Sequence, residues 1–107
     1  MSDPVWLLES PIYQVEGATI TYTVTFEGVT TVSSPSLVVW KNGSDYSATA
    51  APSGSTTASG NVVTLKPILA VSTDGGQKYI CTVTASDGTN TQVRKFEIVV
   101  VDAAEEQ

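Results

Sequence analysis

Residues 18 to 26, Ala-Thr-Ile-Thr-Tyr-Thr-Val-Thr-Phe, alternate apolar and polar side chains without a fault. That period of two places Ile20, Tyr22, Val24 and Phe26 on one face and four threonines on the other, the pattern of a half-buried strand. Glu16-Gly17 and Glu27-Gly28 bound it as turns. Gln77 to Ala85 repeats the pattern, with Tyr79, Cys81, Val83 and Ala85 facing one way and Ile80, Thr82 and Thr84 the other. Asp87-Gly88 then predicts a hairpin into a last strand over Thr91 to Val101. There Val93 and Phe96 are out of phase, while Phe96, Ile98 and Val100 share a face, which suggests a bulge near Arg94-Lys95.

Between these segments, Ser36 to Lys41 reads as a strand running into Asn42-Gly43, a dipeptide suited to the positive φ angles of a tight hairpin, with a return strand over Asp45 to Thr49. Val5 to Leu8 and Ile12 to Val15 read as a kinked edge strand broken at Ser10-Pro11, because proline cannot donate to a central ladder. Ala50 to Gly60 is nearly all Ala, Ser, Thr, Gly and Pro and is expected to be a mobile surface loop outside the core. Asn61 to Lys66 is a further strand, and Ile68 to Val71 carries the chain across the end of the fold. About seven short strands with no helical spacing between them predict an all-β, antiparallel sandwich. The domain spans residues 1–101, and residues 102–107 form an acidic flexible tail.

Composition narrows the chemistry. The 107 residues fit one domain, and 11 acidic against 5 basic side chains give a net charge of −6, which disfavours nucleic acid and anionic membrane surfaces as partners. No apolar run reaches membrane-spanning length, and Met1-Ser2-Asp3-Pro4 lacks the features of a signal peptide. With no histidine and one cysteine, the chain has neither the usual general base nor a two-cysteine metal motif. Asp45, Asp74, Asp87 and Asp102 lack the dense spacing of a cation loop. Glu16, Glu27 and Glu97 fall on separate segments, and the sequence alone assigns no pair of them the separation that glycosidic chemistry requires. No enzymatic activity and no cofactor are expected.

Several residues, in order, carry a likeness to a known fold. Trp40 followed by Lys-Asn-Gly resembles the strand C tryptophan and turn of the immunoglobulin-like superfamily. Val63-Thr64-Leu65 before Ile68 resembles strand E, and Asp74, Gly76, Tyr79 and Cys81 resemble the strand F stretch in which a tyrosine hydroxyl bonds back to the chain. One residue more than the usual spacing separates Asp74 from Tyr79, and Tyr22 and Val24 stand where a disulfide partner for Cys81 would lie. The resemblance therefore implies a disulfide-free version of bacterial or viral type, Greek-key in topology. Its implied core holds Ile20, Tyr22, Val24, Trp40, Leu65, Tyr79, Cys81, Val83, Phe96 and Ile98, with Cys81 a buried free thiol.

In that architecture strands G, F and C adjoin, so Leu37, Val39, Ile80, Thr82, Val99 and Val101 form an outward apolar patch if Trp40 and Tyr79 point inward. Such a patch marks contact with another protein or with a second copy. The function expected is that of a non-catalytic structural or interaction module. One setting is a component of a phage or virus particle surface; the alternative is one repeat of a bacterial cell-surface adhesin. A carbohydrate-binding module is a third reading, because Trp6, Tyr13 and Tyr46 are left outside the core and could stack on sugars.

Overall fold

A computed structural model describes Val5–Trp6 and residues 12–102. The alternating segments form strands, in chain order β1 (Val5–Trp6), β2 (Ile12–Val15), β3 (Thr19–Ile20), β4 (Thr23–Thr25), β5 (Ser33–Lys41) and β6 (Ser44–Asp45). A single helical turn, α1 (Ser47–Ala50), is followed by β7 (Thr57–Ser59), β8 (Val62–Thr64), β9 (Ile68–Leu69), β10 (Lys78–Ser86) and β11 (Thr91–Val101). The Ser10-Pro11 kink and the tail beyond Asp102 lie outside the described residues.

The fold is all-β. A six-stranded sheet runs in the order β1-β11-β10-β5-β6, with β2 also paired to β11; β4-β8-β7 form a second sheet, and β3-β9 a short third one. Because β1 and β2 run parallel to β11, the large sheet is mixed and not antiparallel throughout. Val24, Val63 and Ile68 from the smaller sheets, with Phe26 and Leu65 just beyond their strands, meet Val39, Tyr79, Cys81, Val83, Phe96, Ile98 and Val100 from the large one in a single buried cluster, an arrangement compatible with a β-sandwich. Each large apolar side chain buried there contributes about 1.5–3 kcal/mol, which lets packing hold the chain without a disulfide.

Asn42 and Gly43 both take positive φ, 54° and 80°, and join β5 to β6 as a two-residue hairpin. The return strand is shorter than expected, because residues 47–50 coil into α1 and not into further strand. Ala50 and Ala51 are fully buried, so the small-residue segment does reach the core, and Thr57–Ser59 within it pairs with β8. The segment 18 to 26 is two strands with different partners: β3 pairs with β9, and β4 with β8. The break exposes Ile20, whereas Val24 and Phe26 stay inside.

Two other expectations are corrected by strand parity. Val39 pairs with Cys81, and both are inward and buried; Trp40 pairs with Ile80 on the opposite face and is 36% exposed. The aromatic volume beside Tyr79 is filled by Tyr46, whose ring centroid lies 5.6 Å away. In β11 the register with β10 runs unbroken from Thr91 to Val99, so there is no bulge at Arg94-Lys95. Arg94 itself takes the inward position between the hairpin and Phe96.

Candidate functional site

Two polar clusters tie loops and strands together, and the large sheet has one outward face. The first cluster is built where the chain turns into β10. Asp74, 3% exposed, accepts hydrogen bonds from Lys41 Nζ (2.7 Å, to Oδ1), Tyr46 OH (2.9 Å, to Oδ2) and Tyr79 OH (2.6 Å, to Oδ2). The Tyr79 hydroxyl in turn accepts the Val71 N–H at 3.1 Å, so the tyrosine does bond back to the chain. Gly76, in the turn before β10, takes φ +88° and donates its N–H to Val100 O. Burial alone would raise the Asp74 pKa, but the bonds from Lys41, Tyr79 and Tyr46 outweigh it and hold the carboxyl below its ordinary value. The Asp74 bond holds the Lys41 ammonium above its own. Burial, and then the bond to Asp74, pushes the Tyr79 phenol well up. Every group in this cluster has its partner, which makes it a structural clamp.

The second cluster is centred on buried Gln14. Its Nε2 donates to Ile68 O and Ala18 O, and its Oε1 accepts from Tyr22 OH at 2.6 Å. The Tyr22 ring packs edge-on against Phe96, and burial pushes its phenol up to about 12. Cys81 shares this interior; burial raises its thiol to about 12, so it stays neutral and unreactive at ordinary pH.

The outward face of the large sheet follows from the registers. Trp40, Ile80 and Glu97 lie in one row across β5, β10 and β11; Val38, Thr82 and Lys95 form the next. Tyr13 pairs with Val99 and Val15 with Val101, so β2 extends the same face. Of the six residues expected in the patch, Ile80, Thr82, Val99 and Val101 lie here and are partly exposed. Val39 is buried and Leu37 packs against the core, so β5 instead presents Val38 and Trp40. Tyr13, 66% exposed, is the most open large side chain on it. Lys78 crosses to Glu97 at 3.6 Å, and the Ser36 and Thr84 hydroxyls bond at 2.6 Å, so polar ties interrupt the apolar run of this face.

Of the aromatics considered for sugar stacking, Tyr13 is open and Tyr46 is committed to Asp74 and Tyr79; the Trp6 side chain lies outside the described residues. Among the described residues no group of three or more His, Cys, Asp or Glu could hold a metal ion, and no helix is long and apolar enough to cross a membrane. A scan of protein-family models, a search of curated proteins and a search of solved structures each found no match to this chain.

Proposed function

We propose that this chain is a non-catalytic interaction module of immunoglobulin type, which docks another protein or a second copy of itself through the outward face of its large sheet. Three features support the immunoglobulin reading: β11, β10 and β5 are neighbours, as strands G, F and C would be; β4 pairs with β8, as B would with E; and the Tyr79 hydroxyl bonds back to Val71. The observation that carries the interaction reading is the run of Val38, Trp40, Ile80, Val99 and Tyr13 on an outward face, where a one-sided sheet ordinarily carries polar residues.

The pair Trp40→Glu and Ile80→Asp tests it, since both side chains point away from the core and their replacement leaves the interior intact. Sedimentation velocity over a concentration series reads self-association, and capture from a host extract reads a foreign partner. Loss of either one in the double variant, with an unchanged circular dichroism spectrum, is the expected outcome. A double variant that sediments and captures as the parent does would refute the reading.

A further inference from the structure

Arg94 is the one cation that faces inward from β11, and it is 7% exposed. Its guanidinium lies 4.8 Å from the centroid of the Phe26 ring, and it donates from Nη1 to Val93 O (3.1 Å) and from Nη2 to Glu27 O (3.0 Å). Two carbonyls thus occupy two of the five N–H donors that an arginine carries. Lys41 pairs with Asp74 and Lys78 with Glu97, and among the described residues no carboxylate forms an ion pair with Arg94. A cation held this far from water without a counter-charge is costly, and proteins keep such groups paired. Nη1 and Nη2 are each bonded to one carbonyl, and Arg94 lines an opening at the end of the fold.

The opening is a cleft of about 530 Å³ between the loop at residues 27–31 and the β10–β11 hairpin. Besides Arg94, its walls carry the hydroxyls of Thr30, Thr31 and Thr89 and the amides of Asn90 and Gln92. Asp87 also lines it but is committed to its own turn: Oδ1 accepts the N–H groups of Thr89 (2.9 Å) and Asn90 (2.7 Å), and Oδ2 accepts from Gln92 Nε2 (2.9 Å). Glu27 contributes its backbone carbonyl to Arg94, and its side chain lies at the exposed rim.

We infer that this cleft binds an acidic sugar, whose carboxylate takes the free donors of Arg94 and whose hydroxyls pair with the threonine and amide walls. The carboxylate supplies the charge that Arg94 lacks, in the planar geometry that a guanidinium matches. A polyhydroxylated ring fits better than a peptide end because, apart from Val29, the lining offers little apolar surface for a side chain to fill. This site is separate from the sheet face and stands or falls independently of it.

Titration of the whole chain with galacturonate and its α-1,4-linked dimer, followed by ¹H–¹⁵N NMR, is the test. Saturable shifts are expected at Thr30, Thr31, Thr89, Asn90 and the Arg94 Nε–H, with affinity roughly tenfold weaker for neutral methyl galactoside and for Arg94→Gln. Because Arg94→Gln also removes the tie to Glu27 and can loosen the fold, Thr30→Val with Thr31→Val is the companion variant, expected to weaken binding with the melting curve unchanged. The inference is overturned by the absence of saturable shifts, by equal affinity for the neutral sugar, or by double-valine affinity equal to the parent's. It is equally overturned if acetate or N-acetyl-alanine binds as tightly as the dimer, which would make the site a general carboxylate or peptide-end pocket.

Discussion

Asp74→Asn isolates the clamp at the start of β10. The replacement keeps the shape and removes the charge, while Lys41 Nζ, Tyr46 OH and Tyr79 OH all stay in place around it. A hydrogen bond to a charged group is worth about 1.5–3 kcal/mol when one partner is removed. Three such bonds would give an upper bound well above what is lost here, because the amide oxygen still accepts from one donor and a tyrosine hydroxyl can turn to accept from the amide nitrogen. A net loss of about 2–4 kcal/mol follows. For a domain of this size that lowers Tm by about 8–16 °C at pH 7.

The pH dependence makes the argument specific to charge. The folded Asp74 carboxyl titrates below its unfolded value, so its contribution is fully present above the unfolded pKa, near 3.9, and is lost as pH falls through the folded one. Urea unfolding of parent and variant at steps from pH 7 to pH 2 reads this directly. Asp45 and Asp87 are also held low by bonds from nearby backbone N–H groups, but they are the same in both proteins and cancel in the difference. The gap between the two stabilities should hold steady down to about pH 5 and then close. A gap of the same size at pH 7 and pH 2.5, or no gap at neutral pH, would refute the clamp as a charge-dependent device.

Cys81 should resist a thiol reagent at pH 8 in the folded chain and react fully after unfolding; rapid native labelling would contradict its burial. Because its folded pKa is raised, its contribution is intact below the unfolded thiol pKa, near 8.5, and declines as pH rises above it, so Cys81→Ala should flatten the stability profile between pH 8.5 and 10. Gly54 has φ +90°, and a Cβ there would sit 2.9 Å from Pro67 Cδ; Gly54→Ala should therefore cost at least about 1–2 kcal/mol in urea unfolding, and a variant as stable as the parent would contradict it.

The sequence made β10 legible because one face of Gln77 to Ala85 is consistently larger and more apolar than the other, and every inward residue assigned to it is buried. In β5 that contrast is missing. Leu37-Val38-Val39-Trp40 is apolar at four successive positions, so period-two reasoning has no face to choose, and tertiary packing decides. Once Tyr46 occupies the space beside Tyr79, Val39 goes in and Trp40 goes out. The clamp is half legible: the resemblance to a strand F stretch names Asp74 and Tyr79 despite the extra residue between them, but Lys41 and Tyr46 join them only through the Asn42-Gly43 hairpin and the helical turn after it. Ala50 and Ala51 were missed because small side chains carry little pattern signal yet fit where strands pack closely.

Trp40 on the outward face and Arg94 on the inward one both run against the ordinary preference of their side chains. An outward tryptophan leaves apolar area in water, and an inward arginine gives up hydration; each departure disfavours the isolated domain on its own terms. Chains whose local and global preferences otherwise agree tend to break that agreement at functional sites, where a missing partner removes the cost. A protein surface laid over Trp40 and Ile80 would bury the first, and a carboxylate in the cleft would neutralise the second. The two requirements would be met by ligands of different kinds at different places, one on the sheet face and one at the loop end, so a substitution at either should leave binding at the other unchanged.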